Sequence, residues 1–284
     1  MLQNNKWNQL AVFLIILGIN TIIFSQLVLV WHSASMDEKY VNALASVGIL
    51  GLTSLIYAFA LNRRRSFAYL KMNEGVKWDT ALALVLVFCV SMPALGWIIK
   101  WNEGLHLPQV FSATEQWMRE QEDMLADLTK QMLAGTSLTV LFTNLLVIAV
   151  VPAICEELLF RGVFLSWLKD GFRNKHLAVW LSAIIFSAFH VQFFGFFPRM
   201  LLGVYLGYLF VWTGSLWTPI IAHFLNNAVI VIASFLYNIG YIATDYEQIG
   251  NGGENAWIVA LSLCFTTVLI VYLWKNKTTS ASPA

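Results

Sequence analysis

Long apolar runs separated by short polar stretches make up most of this chain. The hydrocarbon core of a bilayer is about 30 Å thick, and an α-helix needs roughly 20 residues to cross it. Eight runs come close to that length, at residues 10–31, 41–62, 80–99, 138–168, 177–197, 200–212, 216–239 and 256–274. The sixth run is short, and only a turn at Thr213, Gly214 and Ser215 divides it from the seventh. The pattern predicts an all-α membrane protein, a polytopic bundle of about eight transmembrane helices.

The composition agrees with that class. The chain is 58% hydrophobic and 12% charged, and its mean hydropathy is +0.68. Soluble domains typically carry about 25% charged residues, so we expect an integral, multi-pass protein surrounded by the lipid bilayer. The bacterial plasma membrane is the compartment we predict. A formal net charge of +1 gives no reason to expect a nucleic-acid partner.

The basic residues predict how the bundle is oriented. Five of them lie in the stretch 63–78, namely Arg63, Arg64, Arg65, Lys71 and Lys77. Cytoplasmic loops are enriched in lysine and arginine, which places this stretch in the cytoplasm. Alternation of the spans then puts the loop 241–255, which has no lysine or arginine, on the opposite side. Both termini are therefore predicted to be cytoplasmic.

The longest loop, residues 100–137, should lie outside. Ser112 and Glu115 have the spacing of a capping box, which predicts the start of a helix. Apolar residues then recur at helical spacing with acidic residues between them, as in an amphipathic helix. One interpretation is a helix that lies on the outer membrane surface. The other is a helix that covers or guides the substrate.

Three charged residues interrupt the fourth run, and charges at membrane depth usually have a function or a partner. Glu157 and Arg161 are four residues apart, so they share a helix face and can pair. Glu156 projects about 100° away and cannot share that pairing. An unpaired buried carboxylate is a candidate general base. Pro152 predicts a kink beside the site. The alternative is that these charges only join helices together.

Two later runs each contain a histidine. His190 follows Phe186 by four residues, and His223 precedes Asn227 by four. A histidine in a transmembrane helix is often only an interhelical hydrogen-bonder. His223 and Asn227, however, could donate two hydrogen bonds to one point, as an oxyanion hole requires. Counted from the helix ends at 1.5 Å per residue, all these polar groups reach one layer, near the midplane or on its cytoplasmic side. This predicts an active site within the membrane.

Taken in order, Glu156-Glu157-x-x-x-Arg161, Phe186-x-x-x-His190 and His223-x-x-x-Asn227 resemble the signature of the CPBP family. That family comprises the type II CAAX prenyl endopeptidases and the bacteriocin-processing or immunity proteins known as Abi. The resemblance implies three parts: N-terminal spans and the amphipathic loop in 1–137, a protease core in 138–240, and a last span with a cytoplasmic tail in 241–284.

The resemblance also implies residue roles in an intramembrane endopeptidase. Glu156 would activate a water molecule, assisted by His190. His223 and Asn227 would stabilise the oxyanion, while Glu157, Arg161 and Phe186 would support the helix geometry. The substrate would be a membrane-associated protein or peptide. Whether it is prenylated is left open.

The same residues allow two catalytic mechanisms, one with a zinc ion and one without. Members of the family are often labelled metalloproteases, and Glu156, His190 and His223 could supply the three ligands that catalytic zinc needs. The chain has no HExxH motif. We favour a scheme without a metal or other cofactor.

Other functions compete with proteolysis. Buried carboxylates and histidines also form proton relays, as in a proton-coupled transporter. Transporters usually contain repeated halves, whereas the polar motifs of this chain lie only in its second half. A non-catalytic scaffold or immunity protein, and Cys155 as a nucleophile, are further alternatives. Gly203 and Gly207 form a GxxxG pair, which predicts a notch for helix packing.

Overall fold

The computed structural model describes residues 5–243 and 255–276, and the regular secondary structure in these ranges is helical throughout. Seven of the described helices are long and apolar enough to cross a membrane. The chain is thus an all-α polytopic membrane protein, as predicted. The long helices are α1 Lys6–Ser33, α2 Glu38–Leu61, α3 Trp78–Glu103, α5 Leu138–Phe172, α7 Phe196–Thr213, α8 Trp217–Asn238 and α9 Ala256–Lys275. Two further helices are α4 Ser112–Leu133 and α6 Lys175–Phe189, and a single helical turn, Ser66–Tyr69, lies in the loop after α2. Most of the predicted loop 241–255 and the tail after residue 276 lie outside the described ranges.

The predicted span 177–197 is wrong in its second half. Helix α6 has 15 residues and ends at Phe189. His190 caps it, and Val191 has a φ of 55°, which an α-helix does not allow. Helix α7 then starts at Phe196. The apolar run continues through this reversal although Phe189, Val191 and Phe193 are exposed in the structure. The predicted turn at residues 213–215 does form, with Gly214 at a φ of 67°.

The described part of the bundle has two apolar cores. The larger one joins α1, α2, α5, α6 and α7 around Tyr57, Phe160 and Phe186. The smaller one joins α3, α7, α8 and α9 around Leu84 and Leu206. Helices α7 and α8 contribute to the smaller core and approach α5 and α6 with their other sides, so residues on them can face the motifs of α5.

Helix α5 departs from α geometry on both sides of the glutamate pair. Residues Leu145–Val150 and Leu158–Leu165 are π-helical, and Val151–Glu157 lies between them. Such wide turns are frequent at functional sites. Pro152 comes two residues after the first of these π-helical segments, and the predicted kink stays a prediction. Cys155 packs against α2, with its sulfur 3.1 Å from where a Cβ on Gly51 would lie, which buries the thiol.

Loops join the helices at the two ends of the bundle. At the basic end (Lys6, the loop 62–77 and the turn 213–216), the Trp167 indole donates to the Lys6 carbonyl, and the Ser215 hydroxyl donates to the Glu74 carbonyl. At the opposite end, α4 lies across the loop 190–195. There the amide of Phe194 donates to Glu122 at 3.0 Å.

The predicted capping box of α4 does not form. Helix α4 begins at Ser112 without a side-chain cap, because a 3₁₀ turn over Gln109–Phe111 leads directly into it. Glu115 reaches further back and accepts from the Leu107 amide, from Arg119 and from the His106 side chain. These hydrogen bonds lower the pKa of Glu115 to about 2. A carboxylate with a lowered pKa stabilises the fold at any pH above the pKa of the unfolded chain, about 4.5. The stabilisation from Glu115 is therefore lost only as the pH falls from about 4.5 towards 2.

The glycine pair on α7 is a packing notch, as predicted. A Cβ on Gly203 would lie 3.0 Å from the Cβ of Ala183, and a Cβ on Gly207 would lie 3.0 Å from Val179. Helices α6 and α7 can approach closely only because these side chains are missing. The notch brings the Phe186 ring and the Gly203 carbonyl next to the same side chain, the Arg161 guanidinium.

We expect Gly203→Val to destabilise the bundle by about 1–3 kcal/mol, because the added atoms push α6 away from α7. Thermal unfolding of the detergent-purified protein measures this. Gly18→Val is the matched control, since a Cβ there meets nothing within 4 Å. Equal loss of stability in both variants would mean that the notch does not matter for packing.

The distribution of basic residues predicts which end of the bundle faces the cytoplasm. Single cysteines at the exposed positions Arg64 and Glu120 would report the two ends, after Cys89, Cys155 and Cys264 have been replaced. A membrane-impermeant thiol reagent added to intact cells should label position 120 and leave position 64 unlabelled. Labelling of position 64 alone would reverse the predicted orientation.

Candidate active site

A buried carboxylate on α5 joins two helices. Glu157 is fully buried, and its Oε1 accepts a 2.6 Å hydrogen bond from Arg161 and lies 2.8 Å from Nδ1 of His223 on α8. Arg161 also donates to the Gly203 carbonyl of α7 at 3.1 Å. The predicted Glu157–Arg161 pairing is therefore present, and its reach to α8 is a feature that the sequence did not reveal.

The Phe186 ring lies at the centre of these polar side chains. The Arg161 guanidinium is 4.5 Å from its centroid, which is cation–π distance. The rings of His190 and His223 stand edge-on to it, with centroids at 5.1 and 5.9 Å. Phe186 thus fixes the spacing between the two imidazoles.

Glu156 faces both histidines. Its Oε2 lies 3.9 Å from Nε2 of His190 and 3.9 Å from Nε2 of His223. No described residue makes a hydrogen bond to this buried oxygen. The Glu156 side chain is 14% exposed and that of His190 is 27% exposed, so this part of the site can be reached from outside, unlike Glu157. The structure therefore brings together Glu156, His190 and His223, three of the polar residues that the sequence placed in one layer.

The second nitrogen of each imidazole has its own partner. His190 Nδ1 is 2.9 Å from the Phe186 carbonyl, and His223 Nδ1 is 2.8 Å from Glu157. Carbonyl and carboxylate oxygens only accept, so each Nδ1 must carry a proton. Each ring, when neutral, then presents an unprotonated Nε2 towards Glu156.

Asn227 lies one turn beyond His223 on α8. Its Oδ1 accepts from Nδ2 of Asn226 at 3.3 Å, which leaves its own Nδ2 to donate elsewhere. Among the described residues, no hydrogen bond joins Asn227 to Glu156, His190 or His223. The structure places Asn227 on the same helix as His223 but does not bring it into their contact.

A cavity of about 730 Å³ lies beside these residues, between α3, α4, α7, α8 and α9. Its walls are mostly apolar, and Arg199 and Asn226 are among its polar lining residues. Neither residue is a defined position of the three motifs. Arg199 lies between two of the predicted apolar runs, and the structure places it in the first turn of α7.

The side chains of Glu156, His190 and His223 do not fit a zinc ion in the positions that they occupy in the structure. Ligands of one tetrahedral zinc lie about 3.4 Å from each other, given bonds of about 2.1 Å, whereas Glu156 is 3.9 Å from each histidine. Nor do the described residues contain any group of three or more His, Cys, Asp or Glu side chains that could hold a metal ion.

This geometry lies within a segment that matches a known family. Residues 138–229 match the family model of the type II CAAX prenyl endopeptidases, Rce1-like. The segment is Rce1-like. The resemblance inferred from the three motifs is thereby confirmed for this part of the chain, which contains Glu156, His190, His223 and Asn227.

One curated relative also matches. The uncharacterized protein YpbD of Bacillus subtilis (strain 168) is 32% identical over 94 residues, which are 32% of this chain and 42% of that protein. The chain thus covers less than half of the length of this relative. No solved structure matches the chain.

The stability of two variants distinguishes the roles of Glu156 and Glu157. We expect Arg161→Ala to lower the thermal midpoint well below that of Glu156→Ala. The first variant leaves Glu157 buried without its cation, which costs about 3–5 kcal/mol, whereas Glu156 has no ion-pair partner as close. Equal midpoints for the two purified variants would contradict this division.

Proposed function

We propose that the chain is an intramembrane endopeptidase that hydrolyses a peptide bond in a membrane-associated protein or peptide. The convergence of two imidazole nitrogens on the buried Oε2 of Glu156 carries this proposal. It occurs within the Rce1-like segment, which supports a CAAX-type endopeptidase as the reaction class. Processing of bacteriocins or other peptides is the related alternative that the resemblance allows.

Glu156 is the proposed general base. A water molecule within hydrogen-bond reach of Glu156 Oε2 and His190 Nε2 would attack the carbonyl carbon of the substrate. Glu156 takes the proton from this water and later delivers it to the leaving nitrogen, so that the products are a carboxylate and an amine. His190 accepts a hydrogen bond from the water through Nε2, because its Nδ1 is held by the Phe186 carbonyl.

His223 and Asn227 are the proposed oxyanion donors. His223 can donate through Nε2 only when its ring carries a second proton. Glu157 beside Nδ1 stabilises that imidazolium, just as a buried carboxylate orients the histidine of a serine protease. Asn226 holds the oxygen of the Asn227 amide, so the Nδ2 of Asn227 remains available to the oxyanion.

This scheme uses no metal ion. We expect chelators to leave turnover intact, and Asn227→Ala to lower it by about 10²–10³-fold, the usual loss for one oxyanion donor. Asn226→Ala should have a smaller effect, because it only loosens the Asn227 amide. Loss of activity in chelator and recovery with added Zn²⁺, together with one tightly bound zinc per chain, would replace this scheme with the zinc-dependent one.

Comparing the membrane proteomes of cells that carry wild-type protein or Glu156→Gln tests the proposed function. The variant preserves the shape of the side chain but removes the base, so at least one substrate should accumulate uncut. Glu120→Gln, on the exposed face of α4, is the matched control and should behave as wild type. If Glu156→Gln leaves every protein terminus unchanged, the endopeptidase proposal fails and the transporter hypothesis gains ground.

A further inference from the structure

The loop that follows His190 is bound by side chains from outside the Rce1-like segment. Asn102, in the last turn of α3, is fully buried and donates through Nδ2 to the Phe194 carbonyl. Its Oδ1 accepts from the Phe197 amide at 3.4 Å. On α4, Glu122 accepts from the Phe194 amide at 3.0 Å. Both backbone polar groups of Phe194 are thus bound by side chains that are 92 and 72 residues away in the sequence.

The aromatic side chains of this loop are also held by α4. The Arg119 guanidinium lies 4.1 Å from the centroid of the Phe194 ring, which is cation–π distance. Arg119 is fixed in turn by its 2.8 Å ion pair with Glu115. One turn away on the loop side of α4, the Trp117 ring packs against Phe193 with centroids 6.2 Å apart. Helix α4 therefore contacts the loop through both its backbone and its side chains.

The loop needs this support because its backbone is strained where it begins. Val191 has a φ of 55°, in the left-handed region that β-branched residues seldom adopt. Such a conformation persists only where the surrounding structure enforces it. The Val191 side chain is 59% exposed, so its own packing does not enforce the turn. The contacts of Phe194, three residues on, are among the constraints that do, together with the 2.5 Å hydrogen bond from Arg199 to Gln192.

The reversal decides which group binds the Phe186 carbonyl. In a continuing α-helix, the backbone amide of His190 would donate to this carbonyl, four residues back. Instead, the amide donates to the Ser187 carbonyl at 3.2 Å, three residues back, as in the tighter 3₁₀-helix. The Phe186 carbonyl is left to Nδ1 of His190, at 2.9 Å. With its proton held on Nδ1, the neutral ring presents an unprotonated Nε2 to Glu156.

We propose that Asn102 and Glu122 are positioning residues, which hold the turn after His190 and thereby keep its Nε2 directed at Glu156. They act through the backbone of Phe194 rather than on the reacting atoms. The consequence for catalysis rests on the proposed endopeptidase function. Helices α3 and α4, which lie before the Rce1-like segment in the sequence, would thus complete the geometry of its active site.

Nitrogen-15 NMR of the detergent-purified protein tests this without requiring turnover. The signals of His190 are assigned by their loss in His190→Gln, and in the wild type at neutral pH they should show a protonated Nδ1 and an unprotonated Nε2. Glu122→Ala should give signals of both tautomers, because the released end of α6 lets the His190 amide take the Phe186 carbonyl. Glu122→Gln should keep the wild-type signals, since its side-chain oxygen still accepts from the Phe194 amide. Wild-type signals in Glu122→Ala and Asn102→Ala overturn the proposal.

A second buried asparagine separates positioning from stability. Asn20 also donates through Nδ2 inside the bundle, to the Thr53 hydroxyl at 2.9 Å. Asn20→Ala should therefore lower the thermal midpoint and leave the His190 signals unchanged, whereas Asn102→Ala should change both. If Asn102→Ala is too unstable to purify, the two Glu122 variants still decide, with Asp127→Ala on the exposed face of α4 as their control. Equal changes of the His190 signals in Asn20→Ala or Asp127→Ala would reflect general loosening and overturn the proposal.

Turnover is measured separately, on a substrate that accumulates uncut in Glu156→Gln cells. Glu122→Ala should lower kcat by up to about 10²-fold, as expected for a small misplacement of a catalytic group, with KM near the wild-type value. A raised KM with unchanged kcat would contradict positioning. Altered His190 signals in Glu122→Ala, when no substrate accumulates in Glu156→Gln cells, would support the positioning of His190 and refute the endopeptidase. Unaltered signals with accumulation in Glu156→Gln cells would do the reverse.

Discussion

One oxygen atom, Oε1 of Glu157, holds the site together. It contacts Arg161 on its own helix at 2.6 Å and His223 on α8 at 2.8 Å, while Arg161 reaches α7 through the Gly203 carbonyl. Burying a carboxylate in a membrane bundle is costly, and only several close partners of opposite charge or donor character compensate for it. Because His223 comes from α8 and Arg161 in turn reaches α7, satisfying Glu157 fixes α5, α7 and α8 relative to one another. The positions of His223 and Glu156 follow from that constraint.

The helix reversal after Phe189 completes the site. Helix α6 is too short to continue, so His190 comes at its end and its Nδ1 turns back to the Phe186 carbonyl. The next residues contact α4, where Glu122 accepts from the Phe194 amide. The cavity and the proposed catalytic residues are thus linked, through one short loop, to the amphipathic helix. Which of the two interpretations of α4 applies, a surface helix or a cover for the substrate, depends on this contact.

Much of this arrangement could be predicted from the sequence, because membrane depth makes charge informative. The i,i+4 spacing of Glu157 and Arg161 was enough to predict their pairing, and the GxxxG pair was enough to predict the notch. The contact between Glu157 and His223 could not be predicted, since it depends on how α5 and α8 pack. The end of α6 was missed because the turn that follows it is as apolar as the helix, so the run shows no boundary. Arg199 was missed because it belongs to no motif and lies between two predicted spans.

The proton on Nδ1 of His223 is the most direct test of this central constraint. Nitrogen-15 NMR of the purified protein, with His223 assigned by its loss in His223→Gln, identifies which ring nitrogen carries a proton. We expect Nδ1 to be protonated in the wild type at neutral pH, because its neighbour Glu157 can only accept. Glu157→Gln, which also offers a donor group, should mix the two tautomers. An unprotonated Nδ1 in the wild-type protein would show that Glu157 does not hold His223, and it would contradict the arrangement described above.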